Sequence, residues 1–461
     1  MLFNSYEFLL IFLPITIGGF YLLPKLGGGV RAGASWLSFV SLCFYGYWDI
    51  RYLPLLLRSI VWNYQSGHLI EKHHTIRRLY LIVGVTGNLL LLGYYKYAAF
   101  FIENLSAVAG FSYEIPHIVL PLGISFFTFT QIAYLVDAYR GETRGYSFLT
   151  YTLFVTIFPH LIAGPIINHK EMIPQFLRRK NLFINWQNFS LGLMLFIMGL
   201  VKKIAVADRF APWANEAFSH TATLSMLEAW AGSLSYTLQL YFDFSAYSEM
   251  AIGLGLMLNL RFPVNFNSPY QSCSIIDFWR RWHMTLGGWV KNYLYIPMGG
   301  NRYGELKRMR NLLVSMLLIG FWHGAGWTFV IWGGIHGLAL VINHQWRKLN
   351  LSMPVIFSWL LTLLTVHFAW VFFRAESVTA AGEVMASMLG FSSNHNIRWL
   401  PDGRHLLILL CIVLILRWCP NPYVWLQKHE IKWYWCLPAA LALTYCILHF
   451  SKESPFLYFQ F

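Results

Sequence analysis

Residues 118–136 read Ile-Val-Leu-Pro-Leu-Gly-Ile-Ser-Phe-Phe-Thr-Phe-Thr-Gln-Ile-Ala-Tyr-Leu-Val, without one charged side chain. An uncharged apolar stretch of this length is a candidate to cross a hydrocarbon core of ~30 Å as a helix. Pro121 and Gly123 interrupt its beginning, however, and a similar interruption, Phe158-Pro-His-Leu-Ile-Ala-Gly-Pro165, falls near the end of the run Phe148–Ile167. Irregular backbone at membrane depth survives only against protein or a water-filled cavity, because lipid cannot satisfy its amides. These stretches predict an all-α polytopic membrane bundle, with some segments short or re-entrant, around an internal tunnel.

The rest of the chain carries the same signal. Apolar runs recur from Phe8–Leu23 through Trp36–Trp48, Leu79–Tyr95 and Phe189–Val201 to Val355–Phe373, Leu406–Leu416 and Trp433–Leu448. They suggest roughly 10–13 membrane segments, several of them shorter than a straight span requires. Hydrophobic residues make up 57% of the 461 and charged residues 12%, against about a quarter in soluble domains. The 18% aromatic content, with 20 Trp, 26 Tyr and 37 Phe, suits helix ends at lipid head groups. Disordered, fibrous and disulfide-scaffold classes are excluded. The net charge of +14 reads as Lys and Arg held in cytosolic loops, with no nucleic-acid partner. The six cysteines show no C-x-x-C spacing, and neither a disulfide nor a metal is inferred. No Lys or Arg precedes the first apolar run, whereas Lys25 and Arg31 follow it. That asymmetry predicts an uncleaved N-terminus outside and a cytosolic first loop. With no inserted soluble domain and no repeat, residues 1–461 read as one membrane domain, its motif-bearing core at about 118–345.

Phe262–Asn311 is the longest polar interval that still reads as structured. Between Asp277 and Arg310 it holds seven Lys or Arg against two carboxylates, which makes it the best cytosolic candidate. Within it, Ile275–Ile296 predicts an amphipathic helix. With Trp279 at zero on a wheel of about 100° per residue, Trp282, Leu286, Trp289 and Tyr293 form the apolar face. Arg280, Arg281 and Lys291 point away from it, while His283 sits at its edge.

Gly320-Phe-Trp-His-Gly-Ala-Gly-Trp327 places His323, beside Trp322, in an apolar region with no charged neighbour. An ionisable group at that depth faces a cavity, a partner or the bundle interior, and the flanking glycines allow close approach of a ligand or a break in the helix. His336, 13 positions later, would point some 140° away on a continuous helix. It reads as a packing residue or a substrate contact, not a metal partner of His323. Asp243, directly after the apolar run Met226–Tyr241, reads as a cap or packing carboxylate, with a substrate contact as the sharper alternative. Asp137 and Arg140 read as a helix-end pair, and His73-His74 as an exposed loop. No nucleotide fingerprint or serine nucleophile elbow is present.

These motifs, with Pro121-Leu-Gly-Ile-Ser-Phe-Phe-Thr-Phe129, Tyr241-Phe-Asp-Phe-Ser-Ala-Tyr-Ser248, Asp277-Phe-Trp-Arg-Arg-Trp-His283 and Tyr293-Leu-Tyr-Ile-Pro-Met-Gly-Gly-Asn-Arg302, resemble the membrane-bound O-acyltransferase (MBOAT) family. The similarity runs over about residues 5–345 and is greatest to its bacterial alginate O-acetyltransferase branch. The resemblance implies that His323 of Trp-His-Gly is the principal catalytic residue. It assigns the second polar site residue to His283, 40 positions upstream. The branch commonly has Arg-Asp before Tyr293, and Gly and Asp at 246 and 249. This chain has Lys291-Asn292, Ala246 and Glu249, which alters the donor-side loop and leaves the histidine pair intact.

The implied reaction is acyl transfer from a thioester to a hydroxyl, with a neutral histidine as general base. His323 is the expected base, and His283 the residue that orients a substrate or polarises the thioester. Trp279, Arg280, Trp282, Asp243, Trp322 and His336 are the substrate-contact candidates. The resemblance implies acetyl-CoA as donor with no bound cofactor, and an exported polysaccharide such as alginate as acceptor. It also implies a periplasmic acetyl-handling partner protein and residence in the bacterial inner membrane. The competing readings are a polytopic transporter and a non-catalytic scaffold of a cell-envelope export complex.

Overall fold

A computed structural model describes residues 1–110, 118–143, 145–392, 399, 404–450 and 456–457. Among these residues every regular element is helical, as the apolar runs require of a chain that satisfies its backbone internally in lipid. Four helices, Glu7–Leu26, Arg77–Ala109, Trp186–Ser219 and Val355–Arg374, are long and apolar enough to cross a membrane; Leu406–Leu416 and Trp433–Leu448 are shorter apolar helices. That is fewer than the run count suggests. Helices such as Leu53–Lys72, Met226–Met257 and Glu305–His323 have the length, at 20, 32 and 19 residues, but bury polar side chains along them.

Both predicted interruptions are present. Gly123 adopts φ +72°, and a Cβ there would lie 2.7 Å from the Leu161 carbonyl oxygen. The helix Ile124–Tyr139 starts immediately after it. The second run splits into Phe148–Thr156, capped by Ser147, and a single turn at Phe158–Leu161. Beyond that turn, a Cβ at Gly164 would lie 2.3 Å from the Pro159 carbonyl oxygen. Only glycine permits these approaches.

By packing, the described residues divide into two compact units. The first comprises Met1–Leu200, Tyr247–Val264 and Glu430–Gln460. Its helices are drawn together by small residues, Gly67 against Tyr134 and Gly84 against Leu135, and by reciprocal amide bonds between buried Asn63 and Asn88 at 2.6 and 3.1 Å. Such contacts are the glue of apolar bundles, where lipid offers no hydrophobic drive between helices.

The second unit comprises Val201–Ala246 and Asn265–His429. Its centre is a hairpin of Glu305–His323 and Trp327–Lys348, joined through Gly324-Ala-Gly326. Gly320 and Gly333 let the two backbones touch: Cβ atoms there would meet the carbonyl oxygens of Phe329 and Met316 at 2.2 and 2.3 Å. The predicted helix Ile275–Ile296 is not continuous. It forms Ile275–Trp279 and Met284–Val290, followed by a wide turn at Lys291–Tyr295. The break arises because Arg281 O accepts from Asn267 N–H at 2.9 Å and Met284 N–H bonds Asn265 O at 2.8 Å. An extended strip of chain thus replaces the missing helical turn, and the wheel placement of His283 does not hold.

Candidate active site

His283 occupies that break with φ +43°, a conformation few non-glycine residues adopt and one that flags a constrained position. Its Nδ1 lies 3.0 Å from Asn265 Oδ1. Asn265 Oδ1 also accepts from the Thr285 hydroxyl at 2.8 Å and the Thr285 N–H at 3.4 Å, so it is the acceptor in all three. Nδ1 must therefore carry the proton, and the lone pair is on Nε2. His283 lies outside the four apolar spanning helices, and burial pushes its pKa down to about 3. It is a neutral imidazole of defined tautomer.

From His283 a ladder of aromatic rings leads to His323. Phe244 and Phe266 lie 4.9 and 6.3 Å from the His283 ring. Phe266 meets Trp282 at 5.0 Å, Trp282 meets Trp370 at 4.9 Å and Trp370 meets Trp332 at 5.7 Å. Trp332 is edge-on to His323 at 5.2 Å. His323 closes its helix at the hairpin tip, enclosed by Trp322 at 4.9 Å and Phe373 at 5.2 Å, and is buried.

His336 belongs to the same enclosure. A continuous-helix reading separates it from His323, but the hairpin brings both histidines into ring contact with Trp332, His336 at 4.8 Å. Trp279 Nε1–H donates to His336 Nδ1 at 3.3 Å, which leaves the His336 proton on Nε2. That buried Nε2–H and the Trp332 Nε1–H find no acceptor among the described residues. A buried donor left unsatisfied is costly unless a ligand or water accepts from it.

The remaining candidates separate. Trp279, Trp282 and Trp322 line the enclosure. Asp243 does not cap its helix, which continues to Met257. It is buried and bonded to Lys203 at 2.7 Å, and Lys203 also pairs with Asp208 at 2.9 Å. Its neighbours Tyr241 and Phe244 face the aromatic ladder. Arg280 is exposed, and its charge reaches His344; Arg281 is tied to Asp277 at 3.0 Å.

The sequence reading missed a basic cavity of about 440 Å³ lined by Lys291, Arg302, Arg308 and His344, with Gly299, Gly300 and Asn301. Buried Asn311 pins its loop by donating to the carbonyls of Met298 and Gly300 at 3.2 and 2.9 Å. Gly299 and Gly300, at φ +103° and +56°, make the turn. The nearby carboxylate of Glu305 is occupied by Arg308 and Lys348 at 2.7 and 2.8 Å. The buried Arg308 Nε–H finds no acceptor among the described residues. Burial, then the charges of Arg308 and Arg347, lower the His344 pKa. The available signal was the pair of glycines between basic residues. Among the described residues no group of three or more His, Cys, Asp or Glu is arranged to hold a metal ion.

The MBOAT, membrane-bound O-acyltransferase family model matches residues 42–382. The chain belongs to this family. It is 40% identical to the peptidoglycan O-acetyltransferase of Helicobacter pylori, over all of this chain and 98% of that protein. It is 42% identical to the probable alginate O-acetylase AlgI of Pseudomonas aeruginosa, over 85% of this chain and 76% of that one. A teichoic acid D-alanyltransferase of Streptococcus thermophilus is 25% identical over 49% of the chain. The MBOAT chain described here is therefore a membrane acyltransferase, and its nearer relatives are O-acetyltransferases of glycans.

Proposed function

We propose that this MBOAT protein moves an acetyl group from acetyl-CoA, arriving from the cytosol, toward hydroxyls of an exported envelope glycan in the inner membrane. The observation that carries this reading is that both motif histidines, His283 and His323, are buried in the second unit and linked by a continuous run of aromatic ring contacts. In the proposed step His323 removes the proton of the acceptor hydroxyl as its oxygen attacks the thioester carbonyl. The C–O bond forms, the C–S bond breaks, and the thiolate takes the proton back from the imidazolium. With its proton fixed on Nδ1, His283 offers Nε2 as an acceptor, which suits holding another hydroxyl of the acceptor glycan better than polarising a carbonyl. The orphan Nε2–H of His336 is the donor suited to the carbonyl oxygen, a modest-scale version of an oxyanion hole. Trp279, Trp282 and Trp322 exclude water, and Asp243 braces Lys203. The basic cavity at Lys291, Arg302 and Arg308 suits the phosphates of CoA, with Arg280 adding to its field. A periplasmic acetyl-handling protein would complete delivery.

Peptidoglycan is the favoured acceptor, because similarity to the peptidoglycan O-acetyltransferase extends end to end. Alginate is the second reading, on relatives of 41–42% identity that match 85% of the chain. Membranes given labelled acetyl-CoA, candidate glycan and periplasmic extract test the proposal. Base-labile labelled ester formed by the wild type and lost in His323→Ala supports it; equal strong transfer by both refutes the assignment of His323. Flux of solute through proteoliposomes without any acyl donor would instead favour a transporter.

A further inference from the structure

The first unit contains a larger cavity, about 590 Å³, that the acyl-transfer reading does not use. Four cations line it, Lys170, Arg178, Lys180 and Arg261, together with one carboxylate, Glu171. Lys170 is engaged by Glu142. Arg178, Lys180 and Arg261 form no ion pair among the described residues. Cations gathered around a cavity repel one another, and an arrangement with a net positive excess is suited to an anion.

The frame beneath these cations is rigid because its amides are committed to each other. Gln175 Oε1 accepts from Arg261 N–H at 2.8 Å, and Gln175 Nε2 donates to Arg261 O at 3.2 Å. Asn181 Nδ2 donates to Gln175 O at 2.9 Å. Asn259, held at φ +56°, donates to Phe183 O at 2.7 Å and accepts from Asn188 Nδ2 at 3.1 Å. Gln175, Asn181 and Asn259 are each under 10% exposed. The glutamine reaches the backbone of Arg261, 86 positions away, so the cations of two distant chain segments are held at one place.

The rim is of the opposite character. Leu177, next to the lining residue Arg178, and Phe183, Ile184 and Trp186, around the lining residue Asn185, are 41–69% exposed, and Trp186 opens the apolar helix Trp186–Ser219, one of those able to cross a membrane. A tryptophan at the first turn of a spanning helix marks the water–lipid boundary. The Arg178-Arg-Lys180 run and Arg261, which directly precedes the basic interval Phe262–Asn311, mark the cytosolic side by charge. A cationic cavity edged with exposed apolar and aromatic residues at that level matches the two halves of a phospholipid, a phosphodiester and its acyl chains.

We propose that this cavity binds the head group of an anionic glycerophospholipid of the cytosolic leaflet, with its chains against Leu177, Phe183 and Trp186. Native mass spectrometry of the full chain in detergent, titrated with phosphatidylglycerol or phosphatidylcholine, tests it. The wild type is expected to retain one phosphatidylglycerol in preference to phosphatidylcholine. At about 1 kcal/mol for each basic residue near an anionic lipid, Arg178→Gln with Arg261→Gln should weaken that binding roughly 30-fold. Arg178→Lys with Arg261→Lys should retain most of it, and Lys307→Gln, a cation outside this cavity, should leave it unchanged. All these substitutions are at exposed positions, and an unaltered melting midpoint in lipid-free detergent confirms folding. Equal retention of the two lipids, or of phosphatidylglycerol by wild type and double glutamine variant, overturns the proposal. So does inorganic phosphate displacing the lipid at equal concentration, which would make this a free-anion site.

Discussion

His169 of the first unit and His336 of the second are both buried, in opposite environments. In the first unit His169 spends both ring nitrogens on neighbours: Nε2 meets Asp137 Oδ2 and Nδ1 meets the Tyr146 hydroxyl, each at 2.9 Å. Arg140 completes the set by bonding Asp137 at 3.2 Å. His160 is similarly occupied, by Pro165 O at 2.7 Å and the Thr130 hydroxyl at 3.3 Å. In the second unit His323 is walled by Trp322, Trp332 and Phe373, and His336 keeps a buried N–H without an acceptor among the described residues. A histidine saturated by its own fold is a strut. Depth in the bundle does not distinguish His169 from His336; hydrogen-bond saturation does.

The largest effect that would sharpen this contrast is loss of His323. At unchanged abundance, His323→Ala should lower acetyl transfer about 10²–10⁴-fold, the range for a general base, with little change in melting midpoint. His169→Ala should do the reverse. It leaves Asp137 buried with one partner fewer, which destabilises by about 3 kcal/mol or more, while activity per folded molecule persists. A normally stable His169→Ala protein that had lost all transfer would break the comparison.

The cavity and the tautomer give smaller effects. Arg302→Gln should raise the half-saturating acetyl-CoA concentration roughly tenfold, about 1.4 kcal/mol of donor binding, and leave kcat near the wild-type value. An unchanged value would detach the cavity from the donor. Asn265→Ala should free His283 to exchange tautomers and lower kcat by roughly tenfold, less than removal of the imidazole. The smallest is a pH effect. His283 has its folded pKa pushed below the ordinary histidine value, to about 3. Between that pH and about 6.5 the unfolded chain binds a proton that the folded chain does not. Its contribution to stability is thus complete above about pH 6.5 and declines as pH falls toward 3. His283→Gln should flatten the drop in melting midpoint between pH 7 and 5, and an unchanged drop would place the titration elsewhere.

Much of this arrangement was legible in the sequence. The uncharged runs fixed the all-helical class, and Pro121, Gly123 and Gly164 marked the interruptions because only particular residues tolerate those backbones. His323 and His283 stood out by motif, and His323 also by its apolar surroundings. What a linear reading hid depends on chain reversal and long-range bonding. Asn265 sits 18 residues before His283 and breaks the helix a wheel assumes. The hairpin brings His336 to the indole that His323 faces, against the angle a straight helix gives. Asp243 is matched by Lys203, 40 residues earlier, so its burial carried no chemical message. The cations of the basic cavity are spread from 291 to 308 and those of the larger one from 170 to 261, spacings no local pattern records.

The central claim is that the aromatic enclosure around His323 is where acyl transfer occurs. The direct test is glycan O-acetyl ester content in cells whose own copy is replaced by wild type, His323→Ala or His169→Ala at matched membrane abundance. The account predicts ester in the wild type and in His169→Ala, and background ester in His323→Ala. Wild-type ester content in His323→Ala cells would contradict it.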